Sequence, residues 1–411
     1  MLIIDVFFIL LVLVVVAGLL YQYLLLLMGG PRPALPPSRN DGDLPRFALI
    51  VPAHNEAATI ARTVQHMRGI DYPSDYFDVH VIADHCTDAT AELARQAGAE
   101  GHVREDEPRG RKGFAVDWAI KRLLADSRDY DAIAVFDADS LVDADFLRAT
   151  AALLVDGAVV VQGHHIIANP ASSMFSALAD ADMRLNNRMR NQAKENLGLS
   201  ARLMGDAMVF RRDILARHPW IGVESLTEDR DYGIYLVTQG VRVRFAPEAR
   251  SVGQAVTGWK DATPQRMRWY GGAFDLQRRY LRTLGAQVWR QRSLDALDKF
   301  LELALPPYSM LAFGAVAALL FAALQVLLGR PPMPALGIGG GLVALALLFP
   351  FLGLALTGAP LMAYKAMILG PVYVFWRVWM GLWVRLRYRS LSWVRTRRVP
   401  TDAQNAPHAE Q

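Results

Sequence analysis

Ile133-Ala134-Val135-Phe136-Asp137-Ala138-Asp139 runs an unbroken apolar segment straight into two alternate carboxylates. A short apolar run of this kind, bounded by polar residues, reads as a strand buried on both faces. Carboxylates at its end can bind a hard divalent cation through oxygen. The triplet alone says little, because Asp-Ala-Asp recurs at 143–145 and 180–182. Only the copy at 137–139 ends a buried strand. Asp143 and Asp145 are expected to cap the following helix, and Asp180 and Asp182 to lie on a solvated helix face.

Outward from this segment, strand and helix patterns alternate. Strands are expected over 48–52, 79–83, 133–136 and 155–161, and helices over 57–67, 88–97 and 113–124. Alternation of this kind indicates a mostly parallel sheet with helices on both faces. Ligands bind such sheets beyond the carboxyl ends of the strands, where Asp84 and Asp137 fall. Residues 172–200 read as one long polar helix with Asn186, Asn187 and Arg188. Residues 204–247 return to short strands and helices.

The flanks read as membrane segments. Of 411 residues, 53% are hydrophobic and only 20% charged, a balance that leans toward a membrane protein. Residues 2–28 are almost continuously apolar, interrupted by Asp5, and long enough to cross a bilayer. A signal peptide is the rival reading. Asp5 stands where its basic start would be, and Gly29-Gly30-Pro31 is a poor cleavage site, so a retained anchor over 1–28 is expected. Arg32, Arg39 and Arg46 follow this anchor, the first two within a linker-like stretch, 29–45, and the positive-inside rule then puts the domain 46–260 in the cytoplasm. Interfacial amphipathic helices are expected over 261–304, and two spans within 305–357, joined by a short connector holding Arg330. Residues 358–399 comprise an apolar stretch, 360–385, with Lys365, Arg377 and three Trp, and a basic tail from Arg385 onward, which suits an interfacial or re-entrant helix. Residues 400–411 read as disordered. The layout is that of a multi-pass protein of the plasma (inner) membrane. The net charge of +4 comes with Arg clustered at apolar segments, which suits a lipid bilayer and argues against a nucleic-acid partner. The single cysteine, Cys86, excludes an internal disulfide and a multi-cysteine zinc site.

Further segments carry chemistry. The Val51-Pro52-Ala53-His54-Asn55-Glu56 turn can present backbone and short polar groups to a ring and a ribose, or be a plain strand-to-helix turn. Asp84 follows a buried strand and can accept hydrogen bonds, with Asp88 close behind; His85 and Cys86 between them read as turn residues. Gly110-Arg111-Lys112-Gly113 opens a helix whose amides, with Lys112, can hold a diphosphate. Thr227-Glu228-Asp229 reads either as a threonine N-cap with favourable first-turn acids or as a catalytic acid pair. In Gln265-Arg266-Met267-Arg268-Trp269 the indole can stack on a sugar ring, or the helix can simply be anchored in the interface. Gly205-Asp206-Ala207 is a small-residue loop before a strand. His164 and His165 are adjacent on a strand and point to opposite faces.

Taken in order, Asp84, Asp137-Ala138-Asp139, Thr227-Glu228-Asp229 and Gln265-x-x-Arg268-Trp269 resemble the catalytic set of membrane-bound family 2 glycosyltransferases, the group of cellulose, chitin and hyaluronan synthases. The resemblance covers roughly 46–270. It implies an α/β GT-A-type domain with a Rossmann-like mixed sheet, and an inverting transfer of glucose or N-acetylglucosamine from a UDP-sugar. It further implies donor binding by Pro52, Ala53, Asn55, Glu56, Asp84, Lys112, Asp137 and Arg268. A divalent cation, Mg²⁺ or Mn²⁺, is implied on Asp139 with Asp137, and a general base at Asp229 beside Glu228. Acceptor contacts are implied at Gln265, Trp269, Gly205 and Asp206. The implied product is a β-linked oligo- or polysaccharide. The same motif order occurs in ceramide glucosyltransferases, so transfer of one sugar to a polyprenyl phosphate, ceramide or glycerolipid is the alternative. Polymer synthases of this type usually carry more membrane helices than are read here, which would call for a homo-oligomer or an export partner. A non-catalytic scaffold is the third reading, and the retained acids and Trp269 argue against it.

Overall fold

The computed structural model describes residues 2–31, 44–108, 111–329, 331 and 334–387. Gly110, Arg32, Arg39, Arg330, the basic tail beyond Arg387 and the segment 400–411 lie outside the described residues. The chain forms two compact units. Among the described residues, the first holds 44–170 and 199–268, and the second 2–31, 171–198 and 269–387.

The first unit is built on one sheet. Its strands are β1 (Phe47–Ala53), β2 (Phe77–Asp84), β3 (Glu100–Arg104), β4 (Ala132–Val135), β5 (Leu141–Val142), β6 (Val160–Ile167), β7 (Met208–Arg211) and β8 (Val243–Gly253). Their order is β3-β2-β1-β4-β7-β6-β8-β5. The neighbours β3, β2, β1 and β4 are parallel, as the alternating pattern indicates. The sheet then reverses: β7 runs antiparallel to both β4 and β6, β8 lies parallel to β6, and β5 antiparallel to β8. The result is a mixed sheet.

Both faces of this sheet are buried because successive side chains of each strand point to opposite sides. On β1, Leu49 and Val51 join one core with helices Ile60–Arg68, Thr90–Gln96 and Phe146–Val155. Ala48 and Ile50 join the other, with helices Lys112–Leu124, Arg212–Arg217 and Glu228–Thr238. Burial of one such Leu or Ile contributes about 1.5–3 kcal/mol. The strand expected over 155–161 starts late: Val155 ends the helix Phe146–Val155, and Gly157, at φ +93°, turns the chain before β6. That left-handed conformation is open to glycine without a Cβ penalty.

The second unit is helical. Helices Leu2–Met28, Tyr308–Leu327 and Ala335–Leu356 are each long and apolar enough to cross a membrane. So, by length and composition, is the segment Leu361–Leu386. It comprises helix Leu361–Ala366, a 3₁₀ turn and helix Gly370–Arg387, so a crossing joins the interfacial placement as a geometry it can adopt. Leu13, Leu20, Leu320, Leu347 and Trp379 are exposed, as lipid-facing side chains would be. Gly18 abuts Leu311, Gly314 abuts Val15 and Gly339 abuts the backbone of Leu319. Small residues at these crossings let the helices approach closely.

The expectation of a solvated acidic face at 180–182 is not met. Helix Met174–Met183 continues through a π turn into Arg190–Asn196, inside the helical unit. Asp180 is 3% exposed and paired with Arg184 at 2.8 Å, and Asp182 accepts from Arg377 at 2.6 Å. Burial among helices requires each carboxylate to find a cation.

Candidate active site

The site is assembled at the carboxyl ends of β1, β2 and β4. The loops after β1 and β2 are stitched to each other. Asn55, at φ +56°, accepts from the Thr87 amide at 2.7 Å, and the Glu56 amide donates to Thr90 Oγ1 at 2.9 Å. Asp88 accepts from the amides of Ala57 and Thr90, both at 3.1 Å. Asn55 thus sits in the left-handed region that its side chain tolerates better than most. His54 Nδ1 lies 2.7 Å from the Asp84 carbonyl, and Cys86 takes part as a turn residue.

Asp84 ends β2 and is 6% exposed. Its Oδ1 accepts from Arg104 Nη1 at 2.5 Å and meets His85 Nδ1 at 2.9 Å. Arg104 ends β3, where the register places it opposite Asp84. Sequence reading missed this partner, because the signal is a cross-strand pairing between segments whose register is not visible in the chain.

Lys112 is the first residue of its helix. Its ammonium donates to Asp137 Oδ1 at 2.6 Å and to the Gly205 carbonyl. Burial would lower the pKa of Lys112, but Asp137 and Glu228 outweigh it and raise it. The adjacent Gly113 permits a close approach: a Cβ there would stand 3.0 Å from Val223 Cα and 3.4 Å from Glu228 Cβ.

Asp206, expected to face an acceptor, is turned inward and is 3% exposed. Its Oδ1 accepts from the Asp137 amide at 2.9 Å and from Ser140 Oγ at 2.8 Å. Its Oδ2 accepts from Ser251 Oγ at 2.5 Å and faces His165 Nδ1 at 2.7 Å. Asp206 therefore fixes the Asp137 loop from below. His165 is held protonated more readily than usual: burial opposes this, but Asp206, Asp137 and Asp139 together outweigh it. The neighbouring His164 does point the other way, with its ring edge on Phe245. Three acids within electrostatic reach of one imidazole mark a strongly negative locus. Its half-buried members Asp137 and Asp139 are an all-oxygen donor set that fits a hard divalent cation.

Thr227 occupies the N-cap position of helix Glu228–Thr238 without making a cap bond; its hydroxyl is buried with no hydrogen-bond partner among the described residues. A buried hydroxyl without a partner is unusual and asks for a ligand or a function. The Asp229 carboxylate stands against Gly205, which is at φ +82°: a Cβ there would lie 3.3 Å from Asp229 Oδ2. Burial raises the pKa of Asp229, and Lys112 and Arg268 partly offset it. Burial also raises that of Glu228, and the charge of Asp229 adds to the effect. A carboxylate made more basic in this way is suited to taking a proton.

Gln265, Arg266 and Arg268 belong to the same unit as these acids and lie near the start of helix Trp259–Gln291. Trp269 is the next residue along the helix and belongs to the helical unit. The first unit thus brings together Lys112, Asp137, Gly205, Glu228 and Asp229, within reach of the Arg268 charge. Pro52, Ala53, Asn55, Glu56 and Asp84 line the neighbouring strand ends.

A family model described as glycosyltransferase like family 2 matches residues 45–272, more than half of the chain. The chain belongs to the family 2 glycosyltransferases. Its first unit has the GT-A-like fold of that family, a mixed sheet with helices on both faces. A β-monoglucosyldiacylglycerol synthase of Nostoc sp. strain PCC 7120 is 28% identical over 250 residues, 58% of this chain and 51% of the relative. A cellulose synthase catalytic subunit (UDP-forming) of Pseudomonas fluorescens is 25% identical over 257 residues, 60% of this chain and 34% of the relative. The chain thus spans about half the length of the first relative and a third of the second. Among solved structures, a mannosyltransferase of Pyrobaculum calidifontis in complex with GDP-Man and Mn²⁺ superposes with a TM-score of 0.56 at 17% identity. That match covers 91% of this chain and 99% of the other, a likeness of fold.

Proposed function

We propose that this protein is an inverting membrane glycosyltransferase that transfers glucose or N-acetylglucosamine from a UDP-sugar. The observation that carries the reading is the meeting of Lys112, Asp137, Gly205 and Asp229 at one sheet edge, with burial making the Asp229 carboxylate more basic. An acceptor hydroxyl oxygen attacks C1 of the donor sugar and its proton passes to Asp229. The bond from C1 to the diphosphate oxygen breaks as the new bond forms on the opposite face, so the configuration inverts and UDP leaves. Lys112 and Arg268 supply positive charge toward the departing diphosphate, and Asp84 with the Pro52–Glu56 turn receives the nucleoside. A divalent cation, Mg²⁺ or Mn²⁺, held by Asp139 with Asp137, would neutralise charge on the diphosphate when bound.

The acceptor we favour is a growing β-linked glycan, on the strength of Gln265-x-x-Arg268-Trp269, with Trp269 as a sugar-stacking platform. A membrane lipid is the second reading, favoured by the glycolipid synthase relative, which is matched at higher identity and over a larger share of its length. We place the enzyme in the inner membrane as a multi-pass protein with the GT-A unit in the cytoplasm. A glycan product would then call for an export partner or an oligomer. The test uses membranes containing the protein, labelled UDP-glucose or UDP-N-acetylglucosamine, and Asp229→Asn as control. Label in water-soluble oligosaccharide or polymer supports the glycan reading, and label confined to the organic phase supports the lipid. Equal label with Asp229→Asn overturns the role given to Asp229.

A further inference from the structure

A second group of ligating side chains lies on the outer strands of the same sheet, away from the acidic strand ends. β2 and β3 are parallel, with His80 opposite Glu100 and His102 two residues further along β3. A two-residue step returns to the same face, so all three side chains share one face of the sheet. His80 Nδ1 lies 3.1 Å from His102 Nε2 and 3.5 Å from Glu100 Oε2. His102 Nε2 lies 3.9 Å from Glu100 Oε2. Ligand atoms each about 2.0–2.2 Å from one ion sit roughly 3.3–3.6 Å from one another. The three atoms therefore already bracket the space that one ion would fill.

The surroundings orient them for that role. Tyr130 Oη donates to Asp78 Oδ2 at 2.8 Å, so its oxygen is left to accept, and His80 Nε2 lies 3.2 Å away. His80 must carry its proton on Nε2 and turn the Nδ1 lone pair into the group. A ligating histidine whose other nitrogen donates to a fixed acceptor is the usual arrangement around a metal. Glu100 is fixed by Arg128, whose Nη2 stands 3.1 Å from Oε2 while Nη1 holds Oε1. Arg128 is itself held by Asp126 at 2.8 Å. Burial pushes the pKa of His80 down to about 4, against the opposing pull of Glu100, and lowers that of His102 as well. His80 is buried, whereas Glu100 and His102 are partly exposed, so the group opens on one side to water.

We propose that His80, Glu100 and His102 form a site for a borderline divalent cation of the zinc type, with water completing a tetrahedral shell. Two imidazoles and one carboxylate suit zinc, cobalt or nickel better than magnesium, whose sites are all-oxygen and octahedral. The site is distinct from the Asp137/Asp139 pair: His80 precedes Asp84 on β2 by four residues, about 13 Å along an extended strand. An ion there would clamp β3 to β2, and β3 carries the Arg104 that holds Asp84.

Cobalt(II) is the probe. The purified, detergent-solubilised protein is stripped of metal and titrated with Co²⁺, reading the visible absorption of tetrahedral cobalt, and then back-titrated with Zn²⁺. The expected result is one tetrahedral cobalt per chain, displaced by zinc, in the wild type and equally in Asp139→Asn. His102→Ala and Glu100→Gln are expected to weaken binding at least about tenfold, and Tyr130→Phe about 10–100-fold through the orientation of His80. Because His102 is partly exposed, His102→Ala is the variant expected to fold, with its thermal transition without metal as the check. Zinc should raise the melting temperature of the wild type and not that of His102→Ala. Absence of the tetrahedral band, or its loss in Asp139→Asn but not in His102→Ala, overturns the proposal and leaves a hydrogen-bonded histidine pair.

Discussion

Gly205, in the left-handed region at φ +82°, carries no side chain where a Cβ would press 3.3 Å from the Asp229 carboxylate, while its carbonyl accepts from Lys112. One backbone position therefore touches both the acid proposed as base and the cation proposed to meet the diphosphate. Gly205→Ala should cost about 1–2 kcal/mol from the left-handed backbone alone, and it should displace Asp229 by a few tenths of an ångström. We expect kcat/KM to fall at least about tenfold, as 1.4 kcal/mol of lost transition-state stabilisation would give. Wild-type turnover in a well-folded Gly205→Ala protein would dissociate this contact from catalysis.

Asp229→Asn should leave UDP-sugar affinity within about threefold of wild type and reduce transfer by 10²–10⁴, the range a positioned general base contributes. Equilibrium binding of the donor, measured beside turnover, separates the two. Loss of donor binding in this variant would remove Asp229 from the base role.

The pH profile carries a signed expectation. A base must be deprotonated, and burial raises the pKa of Asp229, so the acid limb of kcat/KM should fall above the ordinary aspartate value of about 3.9. The Lys112 charge lowers the pKa of both Asp229 and Glu228. Lys112→Gln should therefore move the acid limb still further up in pH and weaken donor affinity. A limb that shifts down, or stays in place, contradicts the assignment.

His165 and Asp206 predict a window of stability. The pKa of His165 is raised in the fold, so its contribution is complete below the unfolded value of about 6.5 and is lost as the pH rises through the folded one. Asp206 is held well below the carboxylate range: burial opposes this, and the bonds from His165, Ser251 and the Asp137 amide override it. Its contribution is complete above about 3.9 and is lost on acidification. The pair should stabilise most between about pH 4 and 6.5. Removing one member of a buried pair costs about 3–5 kcal/mol, so Asp206→Asn should lower the melting temperature and flatten its fall above pH 6.5. An unchanged profile would mean the pair contributes nothing.

Thr227→Val tests the buried hydroxyl that has no hydrogen-bond partner among the described residues. Removing an unsatisfied group of similar shape should leave stability unchanged or raise it, by up to about 1–3 kcal/mol. If the hydroxyl serves a ligand, turnover should fall while the melting temperature does not. A drop in stability alone would make Thr227 a structural residue.

Most of the parallel half of the fold was legible because β1, β2 and β4 are compact apolar runs, two of them leading to marked residues at Asp84 and Asp137, whereas β3, Glu-Gly-His-Val-Arg, has no such run and was not expected. The reversal at β7 was not, since Met208–Arg211 is too short to declare its direction. The grouping of Lys112, Asp137 and Asp229 followed from motif order, yet what holds them did not. Arg104 reaches Asp84, and Ser251 reaches Asp206, only through strand registers. The alternation of β6 sets His165 on the face opposite His164, but the Asp206 it meets lies in a loop just before β7, and nothing in the chain's pattern brings that loop beside it. Asp180 and Asp182 misled because a polar helix buried by arginine partners carries the same letters as a solvated one.

Because β7 runs against β4, the residues just before Met208 lie beside those just after Val135, and the residues assigned to sugar transfer gather on one rim of the sheet. The opposite rim carries none of the residues assigned to that transfer. There β6 begins beside the end of β7 and the start of β8, and the approaching turns hold Gly157 and Gly240, both with open space where a Cβ would be. Exposed turns of this kind accept inserted polypeptide. A fluorescent domain or epitope spliced in at either glycine should therefore yield a traceable enzyme at full working rate, while the same graft in the 205–207 loop should silence it.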